Sequence, residues 1–396
     1  MSNPISAGQH HNEIGLETPK LKTCPAEALS HGRCVPRRGS RRIKPSLQSP
    51  MEHRTIPTLQ SPSYPVPKSM KTAAGRSRFA FVTFLMLNDS YLAGALLLAY
   101  ALRRQQSQAD LICLVTNEIT AGARQALDLL FDHVATIDKI FVPHRRRQQR
   151  QDRPYWFTRM NALRLGEDGD LGFHYEKIVL LDADVLPLRH YDHLFQVNAP
   201  AGIINEHKSH FLESSADGQF IIPPSVATMG TWQWHRLYGA ICPHGRRIPR
   251  EITDRVQHDV TNLGINTSLL ILQPSLAEFN ALTEDLNRPA IRHLVGDLFD
   301  WPDMQYLTLR WSGRWTNVDL RFSGLNGYPN LKVLFGTHYA GFKPWYFGRT
   351  KSMAHYGRFD DFRFWFTQYR AMIAAYPELQ KVKKLRTLNK NVSLRL

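Results

Sequence analysis

Between residues 77 and 182, short apolar runs alternate with segments whose apolar side chains recur at a helical spacing. The runs typical of buried strands are residues 78–84, 110–116, 137–142 and 177–182. The segments with helical spacing are residues 90–104, 121–131 and 155–165. Because strand–helix–strand alternation implies parallel pairing with right-handed crossovers, the pattern predicts an α/β fold with a doubly wound, mostly parallel sheet.

The regular alternation fades after Asp184. Short strands are predicted at residues 201–204, 265–272 and 331–335, and helices at 275–286, 304–311 and 359–376. A long segment rich in proline, glycine and aromatic residues, 206–260, separates the first two of these strands. We therefore expect a single domain with an irregular C-terminal half, whose ligands bind at the carboxyl ends of the strands.

The composition is that of a soluble globular protein, with 43% hydrophobic and 21% charged residues in a chain of 396. The longest apolar run, residues 92–102, is shorter than the ~18–20 residues of a membrane span and ends in Arg103 and Arg104. The N-terminal segment lacks the apolar core of a signal peptide. The four cysteines are scattered, which favours a reducing compartment. We expect a cytoplasmic protein without a membrane span.

The formal net charge of +16 is concentrated at the two ends of the chain. Residues 1–75 carry 11 Lys/Arg against 4 Asp/Glu, and they contain 10 of the 24 prolines and a single aromatic residue, Tyr64. Residues 381–396 carry 6 Lys/Arg and no acid. This distribution predicts a disordered basic tail over 1–75, a folded domain over 76–380 and a basic C-terminal tail over 381–396. The basic run 33–44 leaves nuclear import open.

Two carboxylates, Asp182 and Asp184, follow directly after the apolar run that ends at Leu181, with Ala183 between them. Buried carboxylates are costly without a cation or several donors, and side chains i and i+2 both reach the open edge of a sheet at the end of a strand. Carboxylate oxygens suit Mg²⁺ or Mn²⁺, which would in turn bind a diphosphate. The alternative is an ordinary turn or helix cap, because the D-x-D pattern is common.

A second group of residues with chemical potential lies in the segment 338–345. His338 is a candidate third ligand for Mn²⁺, Gly341 permits close approach of the backbone, and Lys343 is a candidate phosphate partner. Taken singly, they are equally a surface histidine, a turn glycine and a solvated lysine. Their crowding before Pro344 and Trp345 favours a site.

The turn from the first predicted strand to the first predicted helix carries Thr83, Asn88 and Tyr91. In doubly wound sheets a base and ribose commonly bind at this place, where Tyr91 offers a ring for stacking. The chain has no G-x-G-x-x-G and no G-x-x-x-x-G-K-[ST] pattern, which argues against dinucleotide enzymes and P-loop nucleotidases. A metal held by Asp182 and Asp184 is then the available way to hold the phosphates.

In their order along the chain, the segments FVT…NDSY, FTRMNALRL, KIVLLDADVLPL, INTSLLILQPS, PDMQYLT and HYAGFKPW resemble the motifs of glycosyltransferase family 8, the glycogenin-like transferases. The resemblance covers residues 78 to 347, about two thirds of the chain. It implies a GT-A-type Rossmann-like fold, a UDP-sugar donor, Mn²⁺ and transfer with retention of anomeric configuration. None of these four properties follows from composition or periodicity.

The resemblance also implies roles for individual residues. The corresponding metal ligands are Asp182, Asp184 and His338. The other matching donor-site positions are Thr83, Asn88 and Tyr91 for uridine, Ala183 for ribose, Asn266 in the N-x-G motif, and Gly341 and Lys343 for the phosphates. Arg159 stands where the family usually has lysine, Ser268 replaces a glycine, and one residue fewer separates Gly341 from Lys343. Asp303 corresponds to the carboxylate of the D-Q segment, whose glutamine is displaced to Gln305.

These observations favour a hexosyltransferase that moves a sugar from a UDP-sugar to a hydroxyl of a glycan, a polyol or a protein. Lys343 and Arg159 would assist the departure of UDP, and Asp303 or Gln305 would steady the charge of the sugar. A front-face route and a covalent intermediate are both open.

Two other classes of function are also open at this point. One is a non-catalytic protein that binds polyanions or nucleic acid through its basic tails, although the body lacks the motifs of a specific nucleic-acid binder. The other is a metal-dependent nucleotidyltransferase that uses the same aspartates.

Overall fold

The structure is a computed structural model and describes residues 64–144, 151–204, 213–214, 220–221, 244–260, 262–325, 331–332, 334–340, 343–346 and 360–393. The described residues, from Tyr64 onward, belong to one compact unit, and residues 1–63 lie outside the described ranges. Within the described ranges, no helix is both long and apolar enough to span a bilayer.

Twelve strands occur in the described residues. Numbered in chain order, they are β1 (Phe79–Leu85), β2 (Asp110–Val115), β3 (His133–Thr136), β4 (Lys177–Leu181), β5 (Val185–Pro187), β6 (Ala201–Ile204), β7 (Glu213–Ser214), β8 (Phe220–Ile221), β9 (Ile265–Leu272), β10 (Thr316–Asn317), β11 (Gly324–Leu325) and β12 (Gly336–His338). Seven of them form the central sheet in the order β10–β6–β9–β4–β1–β2–β3. All its pairings are parallel except those of β9, which runs antiparallel to both β4 and β6. The predicted α/β Rossmann-like sheet is confirmed.

The α-helices in the described residues, numbered in the same way, are α1 (Leu92–Arg104), α2 (Ala121–Asp128), α3 (Arg250–Thr253), α4 (Arg255–His258), α5 (Leu276–Asp285), α6 (Pro289–His293), α7 (Pro302–Arg310), α8 (Asp360–Ala375) and α9 (Lys383–Ser393). Helical segments of 3-10 type occupy Asp89–Tyr91, Arg153–Leu165, Asp192–Gln196, Leu320–Ser323 and Pro377–Lys381, and Leu294–Leu298 is a short π-helix.

The hydrophobic core lies on both faces of the central sheet. In β1, Phe79, Phe81 and Leu85 join a buried cluster with α1, α8 and α9. Ala80 and Val82, on the opposite face, join a second cluster with the 3-10 segment 153–165, α5 and α7. This alternation follows from the two-residue period of a strand whose two faces are both covered.

A small second sheet has the order β11–β12–β5. Because β5 follows the turn at the end of β4, this sheet brings the C-terminal strands β11 and β12 close to that turn. Strand β12 pairs antiparallel with β5, so that His338 lies opposite Val185. The predicted strand at 331–335 is therefore wrong in its position. Leu334 and Phe335 are buried anchors, and the strand begins only at Gly336.

The third strand was also predicted too far along the chain. The apolar residues at 137–142 follow β3 as an irregular segment in which Ile137 and Val142 are buried. The strand itself, His133–Thr136, is an edge strand with partly exposed side chains. An edge strand carries a weaker apolar signal than the segment that anchors the chain behind it, which explains the error.

Both predicted tails are shorter than expected. Tyr64 donates a hydrogen bond from its hydroxyl to Asp319 Oδ2 (2.9 Å), and Met70 is buried, so residues 64–75 pack on the folded unit. At the other end, α9 buries Leu385, Leu388 and Val392. The folded unit thus extends beyond the expected boundary at residue 380, because an i, i+3, i+7 apolar stripe within a basic segment packs on α8. Residues 1–63 of the predicted tail lie outside the described residues.

Candidate active site

The acidic turn that contains Asp182 and Asp184 lies at the carboxyl end of β4. Strand β9 runs antiparallel to β4, so its first residues lie beside the end of β4, and Ser268 O accepts a hydrogen bond from the Asp182 backbone N–H (2.9 Å). The backbone N–H of Val185 donates to Asp182 O (3.0 Å), which closes a tight turn before β5. Both aspartates are therefore held by backbone contacts at the edge where ligands bind to sheets of this kind.

His338 reaches the same turn through the pairing of β12 with β5. The backbone N–H of Tyr339 donates to Asp184 O (2.9 Å), and His338 Nε2 lies 3.4 Å from Asp184 Oδ1. One ligand atom from each of Asp182, Asp184 and His338 lies within 4.8 Å of the others, and in the described part of the chain no other group of His, Cys, Asp and Glu side chains is arranged in this way. Two carboxylates and an imidazole fit a divalent ion such as Mn²⁺.

Lys343 is buried against the second aspartate. Its ammonium contacts Asp184 Oδ2 and donates a hydrogen bond to Tyr339 O (2.5 Å). Burial acts to raise the pKa of Asp184, but the positive charges of Lys343 and His338 outweigh it and hold the pKa well below its usual range. Asp184 is therefore anionic at neutral pH.

Arg159 occupies the corresponding place beside the first aspartate. Its Nη1 lies 3.0 Å from Asp182 Oδ1, and its Nε lies 3.4 Å from Asp303 Oδ2. The guanidinium also donates to Thr267 O (2.9 Å) and to Trp156 O (3.3 Å). Burial raises the pKa of Asp182 to about 7, and Arg159 opposes this only in part. Arginine suits such a bridging position, because its planar fork of donors serves several acceptors at once.

Asp303 lies in the first turn of α7 and is almost fully buried, with 1% of its surface exposed. Its Oδ2 accepts a hydrogen bond from Thr267 Oγ1 (3.0 Å). The other oxygen, Oδ1, is buried and has no hydrogen-bond partner among the residues that the structure describes. A carboxylate that is fixed on one side and unsatisfied on the other is equipped to meet a positively charged group.

The residues predicted to bind the nucleotide lie at the end of β1. Asn88 caps the turn Asp89–Tyr91 by accepting a hydrogen bond from Ser90 N (2.9 Å). Thr83 is fully buried, and its hydroxyl has no hydrogen-bond partner within the described ranges. The ring of Tyr91 lies 5.9 Å from the Lys343 ammonium and packs edge-on against Trp345. Tyr91 and Lys343 are thus neighbours in the structure.

Sequence reasoning missed Gly94, which determines how closely α1 approaches the acidic turn. A Cβ added at Gly94 would lie 2.2 Å from Ala183 O and 2.5 Å from the ring of Trp345. Ala183 is itself buried, with 5% of its surface exposed. A glycine inside the otherwise apolar helix segment LAGALLL is a signal that can be read from sequence, because it indicates close packing.

Asn266 and Ser268 lie in β9 beside the acidic turn. The Asn266 side chain accepts a hydrogen bond from Ser268 N (2.9 Å), and Ser268 Oγ lies 3.0 Å from Ser323 Oγ. Both residues are buried. The position of Asn266 is thus near the predicted donor site, while its side chain also supports the local backbone.

Gln305 does not take part in the site. Its amide oxygen accepts a hydrogen bond from Trp301 N (2.8 Å), and its amide nitrogen donates to the backbone carbonyls of Val260 and Asn262 (2.6 and 3.0 Å). These contacts use the whole amide group to fix the start of α7, so the catalytic role expected for Gln305 is corrected. Gly341 lies outside the described residues.

Comparison with known proteins gives relatives along most of the chain. No protein-family model matches the sequence. An uncharacterized protein of Acanthamoeba polyphaga mimivirus is 24% identical over 68% of this chain and 83% of its own length. Galactinol synthase 6 of Arabidopsis thaliana is 25% identical over 73% of this chain and 81% of its own length. Glycogenin-1 of Caenorhabditis elegans is 37% identical over 29% of this chain, and the match spans only 26% of that glycogenin.

Among solved structures, a galactosyltransferase in complex with donor and acceptor sugar analogues matches 68% of this chain and 90% of its own, with 13% identity and a TM-score of 0.40. The fold is a Rossmann-like α/β sheet with an acidic turn at its carboxyl edge, and the named relatives identify the chain as a glycosyltransferase. Relatives named glycogenin, galactinol synthase and xylan glucuronosyltransferase show that the chain is similar to the glycogenin-like transferases of glycosyltransferase family 8.

Proposed function

We propose that this chain is a metal-dependent, retaining hexosyltransferase that uses a UDP-sugar as donor and a hydroxyl group as acceptor. The observation that carries the proposal is the convergence of Asp182, Asp184 and His338, whose ligand atoms lie within 4.8 Å of one another. The names of the relatives support glycosyl transfer, and the metal and the donor are our proposal.

The proposed metal site uses the two acidic side chains and the imidazole together. Asp184 is anionic at neutral pH, so one hard oxygen ligand is in place. His338 presents Nε2 to the same position, and its backbone is fixed by the pairing of β12 with β5. When bound, Mn²⁺ would supply a positive charge that stabilises a departing diphosphate.

Two cationic side chains of the chain itself support the leaving group. Lys343 and Arg159 are both buried and both within ion-pair distance of the acidic turn. Positive charge that is already positioned where negative charge develops lowers the barrier without reorganisation at the moment of reaction. We assign both residues to the stabilisation of the departing UDP.

Asp303 is the residue that we place on the sugar side. Its position is fixed by Thr267 and Arg159, and its Oδ1 is available for an interaction with the donor sugar. A carboxylate there would steady the positive charge that develops on the sugar as the bond to UDP breaks. This role does not depend on whether a covalent intermediate forms.

The uridine would lie at the end of β1 and the start of α1. Tyr91 offers a ring beside Lys343, and the unsatisfied Thr83 hydroxyl offers a hydrogen bond. In this proposal the base would lie on one side of Lys343 and the diphosphate on the other. The acceptor is a hydroxyl of a glycan, a polyol or a protein; a relative named as a xylan glucuronosyltransferase supports the first of these.

The test is a turnover assay of the full chain with a panel of UDP-sugars and Mn²⁺, in which released UDP is measured. We expect release with at least one donor, loss of release with EDTA and recovery with added Mn²⁺. Asp184→Asn should lower the rate by about 100-fold or more. Asp170→Asn, which removes an exposed aspartate paired with Arg164, is the matched control and should leave the rate unchanged.

Two outcomes would overturn the proposal. Release of pyrophosphate instead of UDP would indicate a nucleotidyltransferase. Full turnover by Asp184→Asn, or by the wild-type chain in excess EDTA, would show that the acidic turn holds no catalytic metal.

A further inference from the structure

Asp184, a ligand in the proposed metal site, is already paired with a cationic side chain in the structure. The ammonium of Lys343 contacts Asp184 Oδ2, while Asp184 Oδ1 faces His338 at 3.4 Å. Lys343 has only 6% of its surface exposed, so this is a desolvated ion pair and not a surface contact. A lysine predicted to bind phosphate is thus found on a metal ligand.

The two internal cations of the site are held differently. Arg159 contacts the backbone oxygens of Trp156 and Thr267, and its guanidinium stacks over the ring of Phe84 at 4.9 Å. The ammonium of Lys343 contacts Asp184 and Tyr339 O, lies 5.9 Å from the ring of Tyr91, and is carried on a long unbranched stem. An ammonium on four flexible carbons can change partner by rotation, whereas a planar guanidinium fixed at several atoms cannot do so easily.

The charges of the site explain why a change of partner would be needed. Asp182, Asp184 and Asp303 supply three negative charges when all are ionised, and Arg159 and Lys343 supply two positive ones. A divalent ion alone would leave the buried cluster net positive, with the ammonium of Lys343 next to the ion. Charges of like sign at such short range repel each other in partly solvated protein surroundings. A diphosphate removes this conflict, because it offers Lys343 a new anionic partner.

We propose that Lys343 is the resident counter-cation of Asp184 and moves to the diphosphate when the donor arrives, so that metal and nucleotide bind as a coupled pair. The proposal rests on the proposed function, because it takes Asp184 as a metal ligand. It adds that the same lysine weakens the binding of metal alone and strengthens the binding of metal with nucleotide.

The test measures the affinity of the full chain for Mn²⁺, by the electron paramagnetic resonance signal of free Mn²⁺, with and without UDP. In the wild-type chain UDP should tighten Mn²⁺ binding by about tenfold or more. Lys343→Met keeps the length of the side chain and removes its charge. This variant should bind Mn²⁺ alone about tenfold more tightly than the wild-type chain, and the gain from UDP should shrink by a similar factor.

Lys139→Met is the matched control. Lys139 forms an ion pair with Glu118 outside the proposed metal site. Its replacement therefore removes the same charge and likewise breaks an ion pair with one carboxylate. It should change Mn²⁺ affinity by no more than about twofold, because an exposed charge is screened by salt. A thermal melt of each variant with and without Mn²⁺ gives a second readout. The rise in melting temperature on addition of Mn²⁺ should be larger for Lys343→Met than for the wild-type chain.

The results distinguish a failure of the counter-cation role from a failure of the proposed metal site. If the wild-type chain binds Mn²⁺ and UDP but Lys343→Met binds Mn²⁺ no more tightly, the counter-cation role is wrong and the metal site stands. If neither chain binds Mn²⁺ with or without UDP, the metal site and the inference both fail.

Discussion

Asp182 and Asp184 are separated by one residue in the same turn, yet their surroundings shift their pKa values in opposite directions. Burial raises the pKa of Asp182 to about 7, although Arg159 lies beside it. At Asp184 the charges of Lys343 and His338 outweigh burial and lower the pKa. The difference comes from elements distant in sequence, because β12 and the segment after it approach Asp184 while the 3-10 segment 153–165 approaches Asp182.

The two aspartates of this D-x-D motif are therefore not equivalent. Asp184 is charged at neutral pH and belongs to a buried ion pair. Asp182 contacts the bridging guanidinium of Arg159 and also solvent, with 22% of its side chain exposed. Removing the charge of Asp184 should therefore lower the free energy of unfolding strongly. Removing the charge of Asp182 should change it little or raise it.

The largest effect is expected for Asp184→Asn in the absence of metal. The substitution leaves the Lys343 ammonium buried without its carboxylate, which should lower the free energy of unfolding by about 3 kcal/mol at pH 7. Because the pKa of Asp184 is lowered by folding, its contribution is present above the unfolded-state value near 4 and is lost as the pH falls. Urea unfolding in EDTA at pH 7 and pH 3 measures this.

Lys343→Met in the same background provides the control for that result. The double variant removes both charges, so it should recover part of the stability that Asp184→Asn loses. An unchanged free energy of unfolding for Asp184→Asn would contradict the buried pair.

The next effect concerns Ala183, the residue between the two acids. Gly94→Ala places a methyl group 2.2 Å from Ala183 O, so either α1 or the acidic turn must shift. We expect a loss of about 2 kcal/mol in the free energy of unfolding. Gly122→Ala in α2 is the matched control, since no atom lies within 4 Å of the added methyl group. It should be neutral or stabilising by up to about 1 kcal/mol. Equal effects at the two glycines would argue against close packing at Ala183.

Much of the site could be predicted from sequence. The end of β4 was fixed by the apolar run before Asp182, and the segment around His338 was recognisable from its residue types and order. The pairing that joins them was not predicted, because β12 is only three residues long and consists of one glycine and two polar residues. Short strands of this kind form through tertiary pairing and carry little periodicity of their own.

The errors have a common physical cause. Gln305 has the residue type of a catalytic amide, but its neighbours in space are backbone groups that satisfy it completely. In the same way, the basic character of residues 381–396 concealed the apolar stripe by which α9 packs. Residue type and composition describe the polarity of a segment. Whether the segment is buried depends on its neighbours in space, which a single sequence does not identify.

A smaller effect on activity should follow from Arg159→Lys. Lysine keeps the charge but has one ammonium, which cannot serve Asp182, Asp303 and the backbone oxygens together. We expect turnover to fall about tenfold. Arg164→Lys, at a guanidinium paired with the exposed Asp170, is the matched control and should keep full turnover. Equal turnover by the wild-type and Arg159→Lys chains would show that charge alone suffices at this position.

The smallest effect is expected for Asp182→Asn in metal-free protein, and its sign is opposite to that of Asp184→Asn. Because folding raises the pKa of Asp182 to about 7, wild-type stability falls as the pH rises from about 4 to about 7. Above pH 7 the asparagine variant should be more stable by about 1 kcal/mol, which is less than the full shift in pKa corresponds to, because 22% of the Asp182 side chain is in contact with solvent. At pH 4 the two chains should be equally stable. Thermal unfolding in EDTA at pH 4 and at pH 8 measures the difference in stability. A loss of stability at pH 8 would remove the contrast between the two acids.

The most direct measurement of the central claim is the number of Mn²⁺ ions that the full chain binds in the presence of UDP. His338→Ala removes the ligand that comes from the distant strand and leaves both acids in place. We predict one Mn²⁺ per wild-type chain and no tight Mn²⁺ binding by His338→Ala. Equal Mn²⁺ binding by the two chains would contradict a site built from the acidic turn and His338.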